Sequence, residues 1–92
     1  EDNKDYLILK GVGSFQAWYY ISLCQEELGK KEEAVISIMR SLLIAPQYKV
    51  ALETLARFMS VKEISVDEYI NKHFSGEIQI ELKNIIRKLE HK

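Results

Sequence analysis

An apolar helical rhythm, cut first at Gly29 and again at Pro46, constrains this chain more than any other feature, because the three stretches it leaves each suit one short helix. Ahead of Gly29, Ala17, Trp18, Ile21, Cys24 and Leu28 recur at three- and four-residue steps, which predicts a helix from about Phe15 to Leu28 that buries those side chains. Glycine just past Leu28 can take the left-handed conformation that closes a last helical turn. From about Lys31 to Ala45, Ala34, Ile38, Leu42 and Ala45 share a stripe with Val35 and Met39 beside it, and Glu32 and Glu33 suit the positive end of the helix dipole. Pro46 then ends that helix, since it lacks the amide hydrogen that a helix interior needs.

The same rhythm predicts a third helix from about Tyr48 to Val61, presenting Ala51, Leu52, Leu55, Ala56 and Met59. Ser65 and Glu68 stand at the spacing of a reciprocal N-terminal cap, which predicts a short helix to about Phe74. After Ser75-Gly76, a last helix carries Ile78, Leu82, Ile85, Ile86 and Leu89 on one stripe. That stripe must either cap the earlier helices or pair with another copy of the chain. The fold class expected is all-α, with residues 1–14 as a lead-in, 15–62 as the central helices and 63–92 as C-terminal capping helices of the same domain.

Composition narrows the function classes. With 92 residues, 47% apolar and 29% charged, the chain has material for one modest core, and no apolar run approaches the length of a membrane span. Thirteen basic against fourteen acidic side chains leave a net charge of -1, so no electrostatic footprint for nucleic acid is expected. The basic side chains Lys83, Arg87 and Lys88 are interleaved with Glu81 and Glu90 and read as a solvated face. Cys24 is the single cysteine, which excludes an internal disulfide and is compatible with a reducing cytoplasmic setting. On the predicted apolar face it should be buried and unreactive. His73 and His91 lack ligand partners at metal-motif spacing, and Gly11-Val12-Gly13-Ser14 lacks the full glycine spacing and lysine of a phosphate loop. We therefore expect no metal, no cofactor and no catalytic residue. The start at Glu1-Asp2-Asn3, without methionine, suggests a segment of a larger polypeptide.

Trp18, Leu28-Gly29, Ala34 and Pro46 stand where the tetratricopeptide repeat places its tryptophan, its inter-helix turn, its second-helix alanine and its closing proline. The chain resembles that family over about residues 15–60. Ile21, Ser22, Gln25, Ile38 and Ser41 replace the leucine, glycine, tyrosine, aromatic and alanine the family prefers, and Gln25 is the least comfortable of them. A second repeat beginning near Lys49 would set Leu52, Leu55 and Ala56 at the tryptophan, leucine and glycine positions, but Glu68 where alanine belongs, so it looks degenerate. The run from Gly11 to Tyr19, followed by Tyr48-Lys49-Val50-Ala51-Leu52-Glu53, is similar to the repeat segment appended to certain bacterial family 2 glycosyltransferases.

The resemblance implies a short right-handed α-α superhelix and a non-catalytic module for protein–protein interaction. It would bind a peptide or a second copy, as a C-terminal accessory domain of a larger cytoplasmic protein such as a glycosyltransferase. An alternative is that it positions the acceptor and is needed for the parent's activity. The family's concave face maps onto Gln16, Tyr19, Leu23, Glu26, Glu53 and Arg57, where tyrosine and leucine would suit an apolar or helical peptide better than an acidic tail. The competing expectation is that Tyr19, Tyr20 and Leu23 pack inside.

Overall fold

The computed structural model describes residues 14–90, so the lead-in with its Tyr6–Leu9 apolar block and Gly11–Gly13, and His91, lie outside the described residues. Those described form five α-helices and no strand: α1 (Ser14–Glu27), α2 (Lys31–Ile44), α3 (Lys49–Met59), α4 (Val66–His73) and α5 (Glu77–Glu90). The all-α class and the order of elements follow the rhythm of the sequence.

The connections show why the breaks fall where they do. Gly29 has φ +82°; its amide donates to the Glu26 carbonyl at 3.0 Å, and the Lys30 amide donates to Gln25 at 2.9 Å. These two bonds are the Schellman closure, satisfying carbonyls that the helix end would otherwise leave open. A Cβ at Gly29 would meet nothing within 4 Å. Gly29→Ala is therefore expected to cost only the backbone strain of a positive φ, about 1 kcal/mol, read as a lower urea midpoint with unchanged slope. At the next break the Tyr48 amide donates to the Ala45 carbonyl at 3.1 Å, so Pro46 and Gln47 sit inside a β-turn whose preset proline angle favours it. The last break, before α5, turns at Gly76 with φ +66°, and Gln79 reaches back through Nε2 to donate to the Phe74 carbonyl at 2.6 Å.

α1 and α2 run antiparallel and share the most extensive seam in the molecule. Ser41 Oγ donates to the Phe15 carbonyl at 2.7 Å near one end of it, and Ser37 Oγ donates to Gln25 Oε1 at 2.7 Å further along. On α2 the predicted stripe is the observed one: Ala34, Val35, Ile38, Met39 and Leu42 are completely buried. They join Ala51, Leu55 and Phe58 of α3, Ile64, Val66 and Ile70 around α4, and Leu82 and Ile86 of α5 in one apolar cluster.

α1 departs from expectation. Its buried centre is Ser22, while Cys24 is exposed and Leu28 is 71% exposed, so the inward face is turned by roughly one residue step, about 100°, from the predicted one. The reason is steric: a serine at the crossing lets two helix backbones approach closely, and its hydroxyl is satisfied by donating to the Tyr19 carbonyl at 2.8 Å. Cys24 is accordingly not the buried thiol expected. Two smaller corrections concern α3 and α4. Ala56 is exposed, and Phe58 and Thr54 take the buried positions instead. Ser65 occupies the position before α4, with extended backbone, but its hydroxyl makes no side-chain cap. Asp67 and Glu68 still place negative charge at that end of the helix.

Candidate interaction face

The six positions proposed for a partner-binding face divide into two groups. Tyr19, Glu26 and Arg57 are brought into one continuous arrangement across α1 and α3. Gln16 and Glu53 are exposed, Leu23 is half-buried, and none of these three side chains makes a hydrogen bond or ion pair among the described residues.

At one end of the face lies an aromatic group. Tyr19 and Tyr48 meet edge to face with centroids 5.7 Å apart, Phe15 also meets Tyr48 edge to face at 4.8 Å, and Tyr20 leans on Tyr19 at 5.3 Å. Such tilted and T-shaped contacts place the positive ring edge against a negative face, adding about 0.5–1.5 kcal/mol per pair to simple burial. Tyr19 packs against the core and Tyr48 beside it, whereas Tyr20 remains 61% exposed. Of the two tyrosines the sequence offered, Tyr19 is the inward one and Tyr20 the presented one. Partial burial, with Tyr20 and Tyr19 adjacent, pushes the Tyr48 hydroxyl above its ordinary pKa.

Toward the other end, Arg57 grips Glu26 with both arms of its guanidinium, Nη1 to Oε2 at 2.5 Å and Nη2 to Oε1 at 3.0 Å. Residues 31 positions apart are thereby tied across α1 and α3. The hydrogen bonds from Arg57 hold the Glu26 carboxyl below its ordinary value of 4.5; partial desolvation opposes this, and the charges of Arg57 and Lys31 add to it. The Arg57 guanidinium is correspondingly raised, first by its bond to Glu26.

A second ion cluster binds α4 to α2. Glu32 Oε2 lies 2.7 Å from His73 Nε2 and 3.4 Å from Lys72 Nζ. Its carboxyl is held low, first by the His73 bond and then by Lys72, against a desolvation effect. Beside this, Arg40 stands between two rings, 5.3 Å from Trp18 and 5.6 Å from Phe74, so Trp18 and Phe74 both cover a cation. No local pattern could have announced these pairings, whose partners meet only after the chain has folded back.

Both carboxylates titrate lower in the folded chain than in the unfolded one. Their contribution is fully present above pH 4.5 and is lost as the pH falls through the folded values. Because Glu26 and Arg57 both reach solvent, their pair is worth at most about 1 kcal/mol. Glu26→Gln should therefore flatten the acid limb of a stability-versus-pH curve while changing little near neutrality in high salt. An acid limb identical to that of the parent would contradict the assignment.

A groove of about 430 Å³ separates the start of α4 from α5, lined by Asp67 on α4 and by Lys83, Arg87 and Glu90 on α5 around Met59, Ile64 and Ile86. Among the described residues, no three His, Cys, Asp or Glu side chains gather in a way that could hold a metal ion, and no helix is long and apolar enough to cross a membrane. Compared with known proteins, the chain matches no family model, no curated protein and no solved structure.

Proposed function

We propose that this chain is a non-catalytic protein-interaction module, and that it receives a peptide or partner helix across α1 and α3. The observation that carries the reading is the juxtaposition of an exposed Tyr20, an edge-packed Tyr19–Tyr48 pair and the Glu26–Arg57 ion pair along one face. Tyrosine offers contact area with few rotors to freeze, and arginine engaged on one carboxylate keeps further N–H donors for a peptide carbonyl.

A tetratricopeptide-like architecture, a short right-handed superhelix closed by α4 and α5, accounts for the seam. Ser22, Ala34, Ile38 and Ser41 occupy the family's packing positions and are all completely buried. The Ser37 hydroxyl satisfies Gln25, which stands where the family has tyrosine. As a C-terminal accessory domain of a larger cytoplasmic protein such as a bacterial glycosyltransferase, the module would recruit or position an acceptor protein.

The reading is tested by selecting random displayed peptides on the isolated chain. Enriched peptides should carry apolar or aromatic anchors, and Tyr20→Ala should weaken them about tenfold or more at unchanged helicity, as expected for an interface anchor. Peptides indifferent to Tyr20→Ala and Arg57→Ala, or no enrichment over background, would count against it.

A further inference from the structure

α5 presents apolar side chains that the core does not absorb. At about 100° per residue, Ile78, Ile85 and Leu89 fall in a narrow sector at the edge of the buried Leu82–Ile86 face. Ile78 is 43% exposed, and Ile85 and Leu89 are half-buried. This ridge runs along a groove of about 340 Å³ whose opposite wall is Pro46, Gln47 and Leu52. On the solvent side the ridge is flanked in order by Glu77, Glu81 and Lys88, none of which is ion-paired among the described residues.

The order of those charges selects an occupant. Two copies of α5 packed antiparallel about a two-fold axis set the same flank of each helix side by side with its sequence reversed. Glu81 of each copy then meets Lys88 of the other, and the axis passes beside Ile85, so that Ile85 packs near its own copy and Ile78 beside Leu89 of the second molecule. A parallel arrangement about an axis along the helices would carry that flank to opposite sides of the seam in the two copies, so Glu81 and Lys88 would not meet. We infer that the α5 ridge is a homodimer interface, in which two antiparallel α5 helices are registered by a symmetric pair of Glu81–Lys88 contacts. This surface lies on a different helix from the α1–α3 face, and the inference does not depend on the peptide-binding reading.

Sedimentation equilibrium of the full chain at high micromolar concentration tests it. The parent chain should show a monomer–dimer equilibrium. Glu81→Lys alone and Lys88→Glu alone each create two like-charge contacts across the axis and should weaken dimerisation about tenfold. An equimolar mixture of the two variants should recover the dimer, because positions 81 and 88 are then both basic in one and both acidic in the other. The double swap Glu81→Lys/Lys88→Glu should dimerise like the parent, and both substituted positions are exposed and lie off the buried face, so helicity should be retained. A parent chain that stays monomeric, or single variants that dimerise as well as the parent, would overturn the proposal.

Discussion

Replacing Phe58 by alanine is expected to remove about 3–5 kcal/mol of stability, a large fraction of what a domain of this size possesses. Phe58 is 2% exposed, sits in the last turn of α3 and is the largest of the fully buried side chains. Its loss removes the transfer free energy of a whole ring and leaves a cavity, which α3 can close only by shifting against the α1–α2 pair. The expected measurement is a large fall in urea midpoint with little change in slope, or a chain already unfolded at room temperature. Leu28→Ala, at a side chain 71% exposed, should by contrast move the midpoint by no more than about 0.5 kcal/mol equivalent. A Phe58→Ala loss below about 1 kcal/mol would mean that α3 is not held as the structure has it.

Leu82→Ala should cost about 2–5 kcal/mol, and the way the chain then unfolds carries more information than the size of the effect. Leu82 is 1% exposed and shares the apolar cluster with Val66, Ile70 and the α2 stripe, although α5 lies at the far end of the described chain. If α5 seals the core, destabilisation is global: far-ultraviolet circular dichroism and Trp18 fluorescence should report one coincident transition, shifted to lower denaturant. A helical signal that melts first while Trp18 keeps its original midpoint would show α5 to be a separable appendage. Ile78→Ala, on the same helix but largely outside the core, should have a small effect on the same curves.

These two side chains stood differently in the sequence. Leu82 was legible because α5 carries its apolar side chains, apart from the exposed Ile80, on one stripe against a polar and charged remainder, and a stripe of that kind has only one side to bury. Phe58 was missed because Leu52, Leu55, Ala56 and Met59 also fit the helical period on α3, and a pattern with several solutions does not choose among them. The candidate face shows the same division. Tyr19, Glu26 and Arg57 were named as candidates from the sequence, but that Arg57 would spend two N–H groups on Glu26, and that Phe15 and Tyr19 would both pack on Tyr48, depended on contacts made only after the chain folds back.

What the residues determined by themselves was therefore local. Helix starts and stops, the two positive-φ glycines, the Pro46 turn, the buried stripe of α2 and the buried Leu82 and Ile86 of α5 follow from backbone sterics and from periodicity within one segment. Tertiary structure decided which side of α1 faces inward, since Phe15, Ala17, Trp18, Tyr19, Tyr20, Ile21, Leu23, Cys24 and Leu28 clothe that helix in apolar groups nearly all round. With no polar side to exclude, the choice passed to the fit against α2. There the small Ser22 allows the closest approach, Gln25 finds Ser37, and Cys24 is left in solvent.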